Sequence, residues 1–168
     1  LLGWAEWQTG GYRAAIPVLE RAAALFEKHG PAAKLNGIYN NLGICYGQLG
    51  DHEKAILNYG AALRINLQKH DSAEVSANYF NISKAWINLQ NLQKATENAQ
   101  LAHDFLQKED GSFEFQMAEI ALARLRPDDA LRLVDRLATD RPDLFDPEKN
   151  DAAADNLLAF GVVAAAAG

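Results

Sequence analysis

The chain repeats itself with a period of forty residues. At this offset Gly10 falls on Gly50, and Leu25 falls first on Ile65 and then on Phe105. The register needs no gap over about one hundred residues, which is typical of stacked structural repeats. The period therefore constrains the fold more strongly than any local pattern does.

Residues that favour helix N-termini recur within each period and predict the class of secondary structure. Asp51 and Asn91 stand where second helices would begin, and Asp71 with Glu74 forms a capping-box pattern. No stretch alternates with period two for long enough to suggest a strand. We therefore predict an all-α fold.

The best-formed unit, residues 31–70, carries a recognisable set of spacings. The set is Tyr39-x2-Leu42-Gly43-x2-Tyr46, then Gly50, Ala55-x3-Tyr59 and Ala62. It resembles the tetratricopeptide repeat, in its variety with long 40-residue repeats. The resemblance implies antiparallel helix hairpins that stack into a right-handed superhelical solenoid.

The period divides the whole chain, 1–168, into one array of units. The first unit lacks most of its leading helix, and Pro17 should kink its second helix. The last segment is either the start of a fifth repeat or a terminal helix. The predicted boundaries are 1–30 for partial repeat 1, 31–70 for repeat 2, 71–110 for repeat 3, 111–141 for degenerate repeat 4 and 142–168 for the last segment.

Amide and aromatic side chains share one side of the leading helices on a helical wheel. The resemblance implies that this side lines a concave groove. An Asn side chain both donates and accepts, so it can pair with the backbone of an extended peptide. The alternative is that the aromatic residues pack against another helix of the same protein. The predicted groove residues are Trp4, Trp7, Gln8, Asn40, Asn41, Ile44, Gln48, Phe80, Asn81, Lys84, Asn88, Phe115 and Gln116.

Charge and hydropathy narrow the classes of partner and the location. The formal charge of −6 argues against nucleic acid and anionic membranes, which require basic surfaces. The apolar tail from Leu157 to Ala167 is about half as long as a membrane-spanning helix must be. We expect a cytoplasmic location, because no secretion signal is visible and the single Cys45 fits a reducing compartment.

Residues that could carry chemistry are sparse. The four histidines have no paired ligand at helical spacing, and no nucleophile, phosphate-binding or dinucleotide motif is present. Cys45 reads as a small core residue. We therefore predict no enzyme activity, no cofactor and no metal site.

These observations favour a non-enzymatic protein–protein interaction module that binds a peptide segment of a partner in its groove. Two alternatives stay open. The apolar tail is not the polar cap that repeat arrays need, so the chain could form homo-oligomers through its terminal helices. It could also be the ligand-sensing regulatory region of a larger signalling protein.

Overall fold

The chain folds into consecutive helices. The computed structural model describes residues 2–31, 34–106, 117, 120, 126–150 and 153–167, and for residues 2–10 and a few later helical positions it describes the backbone alone. No strand occurs within these ranges, as the sequence predicts. The helices are α1 (Leu2–His29), α2 (Leu35–Gln48), α3 (His52–Gln68), α4 (Ser72–Asn88), α5 (Leu92–Leu106), α6 (Pro127–Asp140) and α7 (Ala153–Ala167), with a 3-10 turn at Pro142–Phe145.

The same turn joins α2 to α3, α3 to α4 and α4 to α5. Its left-handed residue is Gly50, then His70, then Gln90, with φ of 82°, 54° and 58°. The following residue donates its N–H to the carbonyl five residues earlier at 2.9–3.1 Å, which completes a Schellman motif. The side chain of that residue then caps the next helix at 3.2 Å; the three caps are Asp51, Asp71 and Asn91.

The first unit lacks this turn. Gly10 matches the turn residue Gly50 in the forty-residue period, but α1 is one continuous helix of 28 residues. Gly11 occupies the position that Asp51 holds in the next unit, and glycine has no side chain to cap a new helix. Pro17 lies inside the helix with its ring exposed. Within residues 2–31, therefore, no leading helix folds back onto a second helix.

Close approach within the hairpins depends on small residues, as expected. A Cβ added to Gly43 would lie 2.6 Å from the ring of Tyr59, so α2 and α3 can cross here only because residue 43 is glycine. In the next hairpin the Ser83 hydroxyl donates to the Ala95 carbonyl at 2.7 Å. Both contacts bring a leading helix directly against its second helix.

A buried ladder of amides ties α2, α3 and α4 together. Asn36 donates to Asn66 at 2.9 Å, Asn66 donates to Asn78 at 2.8 Å, and Asn78 donates to Asn40 at 3.4 Å. Asn66 and Asn78 are fully buried. A buried amide left without partners would cost about 1–3 kcal/mol, so this ladder fixes the positions of α2 and α4 on α3.

Two tyrosine–glutamate pairs hold α1 against α2. The Tyr46 hydroxyl donates to Glu20 at 2.7 Å, and the Tyr39 hydroxyl donates to Glu27. Tyr39 and Tyr46 are seven residues apart on α2, and Glu20 and Glu27 are seven residues apart on α1. Because the earlier tyrosine binds the later glutamate, α1 and α2 run antiparallel. The hydrogen bond to Glu27 raises the pKa of Tyr39 to about 12, and the bond to Glu20 raises the pKa of Tyr46.

The C-terminal helices form a separate kind of pair. The Leu144 carbonyl, in the 3-10 turn, accepts side-chain amide hydrogen bonds from Asn150 at 2.8 Å and Asn156 at 2.9 Å. These bonds join the 3-10 turn to the start of α7. Val134 of α6 and Val163 of α7 are buried. Within the described ranges, no helix is long and apolar enough to cross a lipid bilayer.

Candidate functional site

A cleft of about 380 Å³ lies between α2 and α4, with α3 as its floor. The amide ladder joins the same three helices. Five of the residues that the helical wheel predicts for the groove line this one cleft. They are Ile44 and Gln48 from α2 and Asn81, Lys84 and Asn88 from α4.

The deepest part of the cleft, where α3 meets α4, is mostly apolar and closely packed. Ala55 is fully buried, and Tyr59 and Ala85 are almost as deeply buried. Burial raises the pKa of Tyr59 to about 12, because the ionised phenolate would lose its hydration. A Cβ on Gly47 would meet Ala55 at 3.7 Å, which is ordinary contact. This part of the cleft can therefore contact an apolar side chain of a ligand.

The α4 wall is polar. The Lys84 ammonium lies 5.7 Å from the centre of the Phe80 ring and supplies a positive charge at the cleft. The Asn88 side chain donates to the Lys84 carbonyl at 2.9 Å, which orients its amide along the helix. Asn81, which precedes Lys84 on α4, is half-buried, and Asn88, which follows it, is exposed. The wall thus presents an amide, a cation and an amide within two turns of helix.

The remaining predicted groove residues have different surroundings. Asn40 is half-buried in the amide ladder, and Phe80 lies under Lys84 rather than in the cleft lining. Asn41 is exposed on α2. Trp4, Trp7 and Gln8 belong to α1, where only the backbone is described, and Phe115 and Gln116 lie outside the described residues. A peptide-binding role for all these residues remains a prediction.

The helical wheel of the leading helices missed the floor of the cleft. His52, Ala55 and Tyr59 come from α3, a second helix, and they reach the cleft because α2 and α4 stand apart on that helix. The spacing Ala55-x3-Tyr59 is visible in the sequence as part of the repeat signature. It indicates a buried position between helices, so it could have pointed to the floor once the two walls were known.

A contact between a lysine of the second helix and an aromatic ring of the leading helix recurs in both hairpins. Lys54 stands 5.1 Å from the ring centre of Tyr46, and Lys94 stands 4.3 Å from that of Trp86. The two contacts are forty residues apart, so they belong to the repeat and not to the cleft. Cys45 is buried, and burial raises the pKa of its thiol, in keeping with a core role.

Comparisons with known proteins agree with this architecture. Residues 38–68 match the family model of the tetratricopeptide repeat. A search of curated protein sequences finds no match. Each solved structure reported next is less than 25% identical to this chain, so the likeness concerns the fold.

Three solved structures cover almost the whole chain. A kinesin-light-chain-like protein of Podosopora anserina, with nearly identical TPR-like repeats, matches with a TM-score of 0.70 at 15% identity, covering 98% of this chain and 83% of that one. A point variant of that protein matches with a TM-score of 0.72, at 15% identity and 98% and 82% coverage. BtubC (BKLC) from P. vanneervenii matches with a TM-score of 0.72 at 21% identity, covering 97% and 69%. The chain therefore contains a tetratricopeptide repeat and has the fold of a tetratricopeptide-like helical solenoid.

Proposed function

We propose that the chain is a non-enzymatic protein-interaction module that binds an extended peptide segment of another protein in the cleft between α2 and α4. The observation that carries this proposal is the convergence of predicted groove residues from two helices on one cleft. Helical solenoids generally offer such concave surfaces to their partners. The buried Cys45 thiol needs no oxidising environment, which is compatible with a cytoplasmic module.

The spacing of the two wall amides suits an extended backbone. Asn81 and Asn88 are seven residues apart on α4, or about 10.5 Å along the helix axis. Three residues of an extended peptide span about 10 Å, so both amides can pair with one strand of backbone. Each hydrogen bond contributes about 0.5–1.5 kcal/mol, so affinity also requires an apolar side chain on the floor.

A peptide selection tests the proposal. The probe is a displayed library of random peptides about twelve residues long, which span about 40 Å when extended. Selected peptides are then titrated calorimetrically against wild type and the double variant Asn81→Ala/Asn88→Ala. We expect a Kd of about 1–100 µM for wild type and a loss of about tenfold or more in the double variant.

The matched control is Asn58→Ala/Asn98→Ala. Both control residues donate to the carbonyl four residues earlier, at 2.9 Å and 2.8 Å, as Asn88 does, but they lie on α3 and α5. The control should bind the selected peptides within about twofold of wild type. A library without binders, or peptides that bind the cleft variant as tightly as wild type, would contradict the proposal.

A further inference from the structure

The side chain of Tyr46 contacts both an acidic and a basic residue. Its hydroxyl donates to Glu20 of α1 at 2.7 Å, and the Lys54 ammonium of α3 lies 5.1 Å from its ring centre. Lys54 also forms a salt bridge of 2.8 Å to Asp51. This bond, together with the charges of Asp51 and Glu20, raises the pKa of Lys54. In this unit two carboxylates therefore accompany the lysine and the aromatic ring.

The next unit keeps the lysine and an aromatic ring but replaces both carboxylates. Forty residues later the lysine is Lys94 and the ring is that of Trp86. The Lys94 ammonium lies 4.3 Å from the centre of the Trp86 ring, so the contact itself is preserved. The two acidic positions, however, hold Asn91 and Gly60. Because neither residue carries a charge, the carboxylates of the preceding unit have no counterpart here.

No other acidic residue replaces them among the described residues. Within the described ranges, no carboxylate lies within salt-bridge distance of Lys94. Glu97, one turn further along α5, instead accepts a hydrogen bond from Gln93 at 3.1 Å. Lys94 is exposed, and the whole chain has a formal charge of −6. This lysine is therefore a positive charge that a ligand can reach on an otherwise acidic protein.

Open space lies at the position that a glutamate side chain occupies in the preceding unit. A Cβ added to Gly60 of α3 would have no neighbour within 4 Å. Leu57 precedes Gly60 by three residues, on the same side of α3, and is 70% exposed. A cation, an aromatic ring, an open space and an exposed apolar side chain thus occur together. We call these four residues, Leu57, Gly60, Trp86 and Lys94, the Trp86 site.

We propose that the Trp86 site binds an acidic segment of a partner protein, whose Asp or Glu carboxylate takes the place that Glu20 has in the preceding unit. The carboxylate accepts a hydrogen bond from the Lys94 ammonium, and the indole N–H of Trp86 is a second donor, as the Tyr46 hydroxyl is for Glu20. An apolar side chain next to the acidic residue packs on Leu57. The four residues of the site do not line the peptide cleft, so this inference is independent of the proposed function.

A glutamate introduced at residue 60 tests this chemistry within one molecule. Gly60→Glu should reproduce the arrangement found at Tyr46, and Gly60→Gln is the matched control because it adds a side chain of similar shape without the charge. We expect Gly60→Glu to melt about 1–3 °C above Gly60→Gln, although it makes an acidic chain more acidic. The difference should vanish when Lys94→Met is added to both variants. Equal melting temperatures of the two single variants would contradict a carboxylate-binding site.

A peptide selection tests recognition of a partner. The bait is the full chain with Asn81→Ala/Asn88→Ala, so that the wall amides of the peptide cleft do not contribute. The probe is a displayed library of random peptides about twelve residues long. We expect the selected peptides to share an Asp or Glu beside an apolar residue and to bind with a Kd of about 10–100 µM. Adding Lys94→Met, or Gly60→Glu whose own carboxylate fills the site, should weaken binding about tenfold or more in calorimetric titrations.

The matched control is Lys54→Met, which removes the same lysine–aromatic contact from the unit whose acidic positions are occupied. It should bind the selected peptides within about twofold of the bait. Melting curves establish that each variant is folded. The proposal is overturned by a selection that yields no acidic peptides, or by peptides that bind the Lys94→Met or the Gly60→Glu chain as tightly as the bait. Because the bait lacks the two wall amides, these outcomes are separate from those that test the peptide cleft.

Discussion

The hairpins α2–α3 and α4–α5 hold equivalent positions in the repeat but fill the same space in different ways. In the first, Gly43 has no side chain and the ring of Tyr59 occupies the space against it. In the second, Ser83 and the small Ala99 replace this pair, and the serine hydroxyl binds the Ala95 carbonyl. The two hairpins therefore fill equivalent positions with different pairs of residues.

A large loss of stability is expected when a residue type of one hairpin is placed alone in the other. Gly43→Ser places a Cβ within 2.6 Å of the buried Tyr59 ring, so the ring or a helix must shift. We expect the free energy of unfolding to fall by about 3 kcal/mol in urea denaturation. Gly60→Ala is the control, because open space surrounds that position of α3; it should raise stability by up to about 1 kcal/mol.

Changing Gly43 and Tyr59 together should recover part of that loss of stability. Tyr59→Ala alone leaves a cavity and should cost about 3–4 kcal/mol. The double variant Gly43→Ser/Tyr59→Ala reproduces the pair found in α4–α5, so its destabilisation should be smaller than the sum of the single changes by at least about 1 kcal/mol. Simple additivity in the double-mutant cycle would show that the two residues do not share one space.

The α4–α5 hairpin should be sensitive to its hydroxyls instead. Ser83→Ala and Ser76→Ala each remove a hydrogen bond of 2.7 Å to a carbonyl of α5. Because those carbonyls belong to a helix, each loss should cost only about 1 kcal/mol. Thermal unfolding measures it, with Ser72→Ala as an exposed control. Unchanged stability in both variants would mean that packing alone holds this hairpin.

The turns offer a smaller test of the same equivalence. His70 and Gln90 adopt the left-handed conformation that Gly50 adopts without steric cost. His70→Gly and Gln90→Gly should therefore stabilise the protein by about 0.5–1 kcal/mol each, whereas Gly50→Ala should destabilise it by a similar amount. Lower stability in both glycine variants would indicate that the replaced side chains make contacts worth more than the backbone strain.

Alkaline pH should separate the hairpins by the smallest margin. Burial raises the pKa of Tyr59 from 10.0 to about 12, while α4–α5 has Ala99 at that position. Because burial disfavours the ionised phenolate in the folded chain, the contribution of Tyr59 to the free energy of unfolding is present in full below pH 10. It is lost as the pH rises through about 12. Tyr59→Phe should reduce the alkaline loss, as measured by urea unfolding at pH 8 and pH 11. An identical pH profile would contradict a folded-state shift at Tyr59.

The sequence predicted the two walls of the cleft but not its floor. A helical wheel gives the direction of Asn81, Lys84 and Asn88 around α4, because that direction depends only on local geometry. It does not show how far apart α2 and α4 stand, so the exposure of α3 residues between them could not be predicted. The wheel also assigned Asn40 to the groove. In the structure its side chain accepts a hydrogen bond from Asn78, and its role in peptide binding remains a prediction.

The sequence by itself determined the forty-residue period, the helical class and the caps at Asp51, Asp71 and Asn91, since each depends on local spacing and on residue type. Only the tertiary structure decided that α1 runs on without a turn and that His70 and Gln90 take a conformation usually left to glycine. These outcomes depend on which helix packs against which. Such contacts join residues far apart in the chain, and no local pattern encodes them.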